Sequence, residues 1–499
     1  MRLSAMVMGV ATLAASMPAY AQYQTQAEQE AQLDPGTRRE VRRKRLQTEF
    51  MMLEDSRTTT FGSDMGTEGR LFTIRFPLAS YYYEDNVAGA VSRKMPHPFS
   101  RYANLMPKAD NGIQDDVMAE LPPFRMTFMD DGETMWGELG AIETTFGHGS
   151  VINRYLNNPS GGFNLNTFGV VVGARAKSVG GSVMTGNILE PGRFLGFNVH
   201  GRPLEWIYGT YSNVEPEAAG NLDYYALLLS ALTVGVTGAM DTQAPAMVKA
   251  YALDNQPAQV PGTAGALALE GDVGINHSII SAHVYANATM LGRTFREAGL
   301  GTDGRATTGE SVANLWGAGV SPGVRFNLFL ELLKIGGAFE YRLAGPNYMP
   351  AYFDRNYEAD RIAYNGTPKI TRRTMARHGY SLQLGAQLLK TFGLFFELDD
   401  LVQLDPRFGK NEASMRLGGI LHVLGVLSFM GAYVNRGFQD YTRAWEPART
   451  SMLLGETRLS LLFFSLVARQ WRTWEPMEDG KMMPRNGNSF MAEFQIGVL

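Results

Sequence analysis

The chain of 499 residues has no cysteine, which excludes disulfide frameworks, thiolate metal sites and cysteine nucleophiles. Its formal net charge of −4 is too small to point to a nucleic-acid partner. Two uncharged runs, Tyr224 to Met240 and Gly418 to Tyr433, fall short of the roughly 20 residues that a membrane-spanning helix needs. Both carry internal Gly, Ser or Thr, and the second divides naturally at Leu424-Gly425. There is no phosphate-binding Gly-rich loop, no His-Glu-x-x-His helix and no Gly-x-Ser-x-Gly elbow. The seven histidines are scattered, without a partner at metal-ligand spacing. The expectation is therefore no enzyme, no catalytic residue, no cofactor and no metal.

What the chain does have is alternation. In Gly265 to Met290, Leu267, Leu269, Val273 and Ile275 fall on one face of an extended strand, with Glu270, Asp272 and Asn276 on the other. After a tight turn near Asn276-His277, Ile280, Ala282, Val284, Ala286 and Met290 share a face opposite Ser281, His283, Asn287 and Thr289. A sheet with one face in oil and one in water needs this period of two. Each strand is about 11 residues, within the ~9–11 that cross a bilayer when tilted. The same pattern recurs at Leu195 to His200, Ile335 to Leu343, Tyr380 to Leu388 and Phe490 to Val498. The 55 glycines suit many strands and turns. A mean hydropathy of −0.15 argues against a polytopic helical protein but not against a barrel, whose inner face is polar.

The connections alternate in length. Stretches 291–311, 344–378, 402–413, 437–450 and 475–488 are long and polar, and short turns separate them near 276–277, 327–331, 391–393, 424–425 and 462–463. Long loops outside and short turns in the periplasm are the mark of an up-and-down transmembrane antiparallel β-barrel. Candidate strands number about 19 to 21, and because such barrels close with an even number the expectation is about 18 strands, range 16–22. Residues 1–21 read as a cleaved signal peptide, with Arg2, an apolar stretch and Ala19-Tyr20-Ala21 before Gln22. Residues 22–68 read as a periplasmic segment. Thr37 to Arg45 holds six basic residues, and Leu46, Phe50 and Leu53 follow at helical spacing. Residues 69–499 form the barrel. Tyr81 to Tyr83, Trp206, Tyr208, Trp316, Tyr348, Tyr352, Phe353, Trp471 and Trp474 stand at strand–loop borders, as an interfacial girdle would require.

Chain and pattern together resemble Gram-negative outer-membrane β-barrels of the porin-like kind. Two segments, Phe146 to Asn158 and Asn347 to Arg361, are similar to uncharacterised deltaproteobacterial barrels. The resemblance implies location in the cell outer membrane. It also implies contact with outer-membrane lipid and lipopolysaccharide, insertion by the barrel-assembly machinery, and no assigned substrate; homo-oligomerisation stays open. Such barrels usually end on Phe or Trp, whereas this chain ends on Leu499.

The inferred inner face carries charges of both signs: Glu270, Asp272, His283, Glu340, Arg342, Glu397, Asp399, Arg416, Glu456 and Arg458. They suit a water-filled pore for small polar solutes. Equally, Glu340–Arg342, Glu397–Asp399 and Glu456–Arg458 would suit a salt-bridge network filling a closed barrel. Loop 344–378 could fold inward as a constriction, offering Tyr352, Asp354, Arg355 and Arg361. A transporter for hydrophobic solutes with residues 22–68 as a hatch, and a non-conducting structural or enzymatic barrel, are the other readings. His148 and Ser150 stand at the spacing of a Ser–His pair on one strand face. However, Gly147-His148-Gly149 reads as a tight turn at the periplasmic end, with no third group to orient the imidazole.

Overall fold

The structure, a computed structural model, describes residues 72–84, 125–129, 135–157, 168–176, 178–204, 232–247, 259–276, 280–300, 306–330, 332–354, 357–361, 368–389, 391–404, 412–423, 426–438, 440–448, 451–461, 464–476 and 481–498. The expected signal peptide (1–21) and basic helix (within 22–68) lie outside the described residues, as do Trp206, Tyr208 and Arg355.

The first strands are β1 (Phe72–Glu84), β2 (Arg125–Met129) and β3 (Met135–Gly140). Three two-residue strands follow, β4 (Glu143–Thr144), β5 (Ile152–Asn153) and β6 (Tyr155–Leu156). Next come β7 (Gly169–Ala176), β8 (Val179–Thr185), β9 (Phe194–Gly201) and β10 (Thr233–Met247). The longest follow: β11 (Gln259–Asn276), β12 (Ile280–Leu300), β13 (Ala306–Phe329) and β14 (Leu333–Ala344). Past the short β15 (Phe353–Asp354) lie β16 (Arg377–Leu388), β17 (Phe392–Gln403) and β18 (Glu412–Val423). The last are β19 (Leu427–Phe438), β20 (Ser451–Leu461), β21 (Phe464–Pro476) and β22 (Met482–Val498).

Eighteen of these strands form one sheet, inside the expected range. Each pairs antiparallel with its neighbours in chain order, and β22 pairs back onto β1 from Phe72↔Val498 to Glu84↔Gly487. The described parts of both uncharged runs include strands: β10 takes in Thr233 to Met240, and the described residues of Gly418 to Tyr433 divide between β18 and β19. Among the described residues no helix is long and apolar enough to cross a membrane.

Two expectations need correction. The stretch 291–311 is not a loop: β12 runs on to Leu300 and β13 starts at Ala306. At 21 and 24 residues these strands are about twice the expected length, because strand pairing does not stop where apolar alternation ends. Likewise 475–488 is mostly strand, since β21 reaches Pro476 and β22 starts at Met482.

The register places the faces as the alternation requires. Leu269 opposes Ala288 and Val236, while Glu270 opposes Asn287 and Gly235. One face is exposed and apolar, with Leu269 and Val284 each 63% exposed and Leu267, Met290, Phe339, Leu343 and Leu394 also open. The other face is covered. Against it lie two inserted segments, 141–157 between β3 and β7, and the described residues of 345–376 between β14 and β16. The largest hydrophobic core is the seam between these inserts and the sheet, with Ile142, Phe146, Val151, Ile152, Tyr155, Tyr348, Tyr352, Phe353 and Tyr357 packed on strands β7 to β14.

Candidate functional site

The two inserts form one unit. Short strands β5 and β15 pair parallel, Phe353 with Ile152 and Asp354 with Asn153, and the Ala351 amide donates to the Ser150 carbonyl at 3.2 Å. Tyr155, Phe194, Phe353 and Tyr357 stack or meet edge-on with centroids 4.2 to 6.3 Å apart, the spacing that aromatic quadrupoles favour. The plug so formed explains part of the expected girdle. Tyr348, Tyr352 and Phe353 are buried in it, and Trp471 is buried on the covered face. Trp316 alone of that set is an exposed large aromatic among the described side chains. A border position in sequence does not distinguish a ring facing lipid from one folded inward.

Buried polar contacts fasten the plug to the sheet. Arg293 of β12 donates through Nη1 to the carbonyls of Lys369, Ile370 and Arg372 and through Nη2 to that of Asn347, at 2.5 to 3.4 Å. Asp241 of β10 accepts from Tyr357 Oη at 2.6 Å and from Arg361 Nη2 at 2.7 Å. Asn157 holds the amide of Ile142 at 2.9 Å and donates to the carbonyls of Gly140 and Gly186. A charge taken from water is tolerated only with such partners. On β13, Gly319 gives Tyr348 room to lie flat, for a Cβ there would stand 2.2 Å from the ring.

The Gly147–Ser150 corner is the tight turn that its Gly-rich composition suggested, with the Gly149 amide donating to the Phe146 carbonyl at 3.1 Å, and Asp272, which it meets on β11, lies near the end of that strand at Asn276. The corner belongs to the insert that leaves β3 at the long-connection end, and it reaches down onto β11. A Cβ on Gly147 would meet Glu270 Oε2 at 1.6 Å, Ser150 Oγ donates to Glu270 Oε1 at 3.0 Å, and His148 stacks on Tyr285 with centroids 4.2 Å apart. His148 Nε2 is 3.5 Å from Asp272 Oδ2, and His283 Nδ1 is 3.0 Å from Asp272 Oδ1. Burial, reinforced by Arg325, lowers the His148 pKa from 6.5 to about 4 despite Asp272, so the imidazole is neutral at pH 7. Ser150 is thus committed to a carboxylate rather than shown paired with a histidine.

The ten sequence-chosen residues of the inner face all fall on the covered face and gather in three groups. Glu270, Asp272 and His283 meet the His148 corner. Glu340, Arg342, Asp399, Glu397 and Arg416 form a chain on β14, β17 and β18. Arg342 contacts Glu340, and its Nη1 lies 3.1 Å from Asp399 Oδ1; Arg416 Nη1 lies 3.3 Å from Glu397 Oε1. Glu456 takes Arg458 Nε at 3.4 Å and Arg469 Nε at 2.8 Å, and is 3% exposed. Of the loop residues proposed as a constriction, Tyr352 and Arg361 are buried anchors; Asp354, bound by Lys369 Nζ at 3.2 Å, is partly open.

Sequence reasoning missed Asp241, Arg293 and Arg469, each a charge at an inner position of alternation, a signal that was present. It also missed Arg154, which no periodicity marks, because it sits on the plug. The inner face is less uniformly polar than expected, since Phe395, Ile420, Met430, Val434, Met452, Leu454 and Trp471 form a buried apolar cluster on strands β17 to β21. Among the described residues no group of three or more candidate ligands is placed to hold a metal ion.

No protein-family model and no curated protein matches the chain. Solved structures similar to it include CdiB from Acinetobacter baumannii, at 8% identity and a TM-score of 0.36, with 86% of this chain and 60% of that one covered. Others are a BenF-like porin from Pseudomonas fluorescens, at 8% identity and 0.37 over 86% and 99%, and the outer membrane channel DcaP of Acinetobacter baumannii, at 12% and 0.33 over 85% and 96%. The chain spans 60% of the CdiB length. With TM-scores from 0.33 to 0.37 these likenesses decide neither fold nor function.

Proposed function

We infer that residues 69–499 form a closed transmembrane β-barrel of the outer membrane that passes small polar solutes between its plug and its charged wall. One observation carries this reading, the inversion of burial across the sheet. Leu269 and Val284 are exposed while Glu270, Arg293, Arg416, Glu456 and Arg458 are buried. A water-soluble sheet does the opposite, and exposed apolar patches beyond a few hundred Å² mark contact with something apolar. An acyl-chain layer outside and a polar lumen within account for both faces.

The ten residues of the covered face are then pore-lining, and the inserts narrow the lumen. The long connections are extracellular, and the short turns and residues 22–68 periplasmic. Residues 1–21 serve as the export signal. The apolar face meets lipid, with lipopolysaccharide at the outer rim, and the chain is inserted by the barrel-assembly machinery.

Purified protein in a planar bilayer tests the reading. Stepwise conductance is expected, and silence from a heat-modifiable, folded protein refutes it. The apolar cluster from Phe395 to Trp471 favours a second reading, a transporter for hydrophobic solutes. That reading is favoured if the folded protein is silent to ions yet binds an apolar probe.

A further inference from the structure

The plug rests on strands β7 to β14, yet one of its side chains reaches beyond them. Arg154 extends past β16, and its Nη1 lies 3.1 Å from Glu397 Oε1 on β17, where Arg416 of β18 already binds. Its backbone stands in the left-handed region, φ 53°, which a non-glycine residue adopts only when its surroundings impose it. They do so here: the Arg154 amide donates to Thr145 Oγ1 at 2.8 Å, and Nε lies 3.5 Å from Glu143 Oε1.

The plug's anchor on β10 is drier. Arg361–Asp241 has a carboxylate with no exposure, whereas Arg154 and Glu397 are 17% and 27% exposed and Asp399 beside them is nearly half exposed. Water reaches the sheet face at the far edge of the plug, and charges from both sides border that gap.

Resting on the pore reading above, we propose that Arg154 is a specificity-determining residue of the channel. It is a cation supplied by the plug that, with Glu397 and Arg416, borders the solute path and sets its charge preference and width. Two arginines share one carboxylate oxygen, with Glu143 and Asp399 close by, so charges of both signs are near balance at this level and removing one cation tips the local field. Fixed charge in a water-filled gap with low-dielectric walls sets the local counter-ion concentration.

The test is single-channel current and reversal potential across a KCl gradient for the full-length protein and four variants. Arg154→Gln removes both bulk and charge. It should raise conductance and shift the cation-to-anion permeability ratio toward cations by about two-fold or more. Glu397→Gln should shift that ratio the opposite way, and Arg154→Lys should keep the wild-type ratio. Arg443→Gln, on an exposed outer connection, should change nothing. The shifts should shrink in 1 M salt, where the Debye length is about 3 Å.

A conducting wild type with both Arg154→Gln and Glu397→Gln unchanged overturns the proposal and leaves the pore reading standing. A silent but folded wild type overturns both. If Arg154→Gln does not fold, Arg154→Lys and Glu397→Gln still decide. A shifted ratio in the former, or an unshifted one in the latter, overturns the proposal.

Discussion

Gly147 gives the sharpest test of whether the insert 141–157 is docked on the sheet. Replacing it with alanine acts through two separable effects. The residue has φ 57°, and a left-handed conformation costs a side chain with a Cβ roughly 1–2 kcal/mol. The new methyl would also stand 1.6 Å from Glu270 Oε2, so the carboxylate must leave. The Ser150 Oγ hydrogen bond at 3.0 Å is lost with it. Hydrogen bonds to charged groups contribute about 1.5–3 kcal/mol. Together Gly147→Ala should weaken docking by about 3–5 kcal/mol, a factor of roughly 10² to 10³ or more in the docked-to-undocked ratio. Amide hydrogen exchange over residues 141–157 reads that ratio directly, and single-channel conductance should rise as the corner lifts. The double variant Gly147→Ala/Glu270→Ala removes the overlap but keeps the backbone strain, so the two changes should combine to less than their sum. Wild-type exchange and conductance in Gly147→Ala would refute the packing of this corner on β11.

On the exposed face, Leu269→Arg and Val284→Arg should each cost roughly 2–4 kcal/mol if near the bilayer midplane, read by urea unfolding in detergent or vesicles. Gln383→Arg, on the opposite face and exposed there, should cost far less; equal costs would mean the faces are exchanged. Acidification should loosen the His148 corner. With the pKa lowered from 6.5 to about 4 by burial and Arg325, the folded state disfavours the charged imidazole. Docking stability is therefore full above about pH 6.5 and declines as pH falls toward 4. His148→Gln should flatten that part of the exchange-versus-pH curve. Arg293→Met should release the 345–376 insert by taking a charged donor away from four carbonyls; exchange confined to wild-type rates there would show the arginine to be dispensable.

The two faces of each strand were legible without any structure, because the period of two is a local property of the backbone. Leu267, Leu269 and Val284 had to share one side, and Glu270, Asp272 and His283 the other, whatever the strands paired with. The alternation of connections likewise carried the hairpin order. It misplaced 291–311 because polar residues also extend strands that stand beyond an apolar layer. Phe146 to Asn158 and Asn347 to Arg361 stood out in the sequence, yet nothing local could say that they pair with each other. The Ser150–Glu270 and Arg154–Glu397 contacts join residues 120 and 243 positions apart. Contacts of that kind exist only once a sheet has brought distant strands together and its covered face has left room, at Gly319, for a plug to settle. The faces were written into each strand; what covers one of them was decided by how the whole sheet brought its own inserts together.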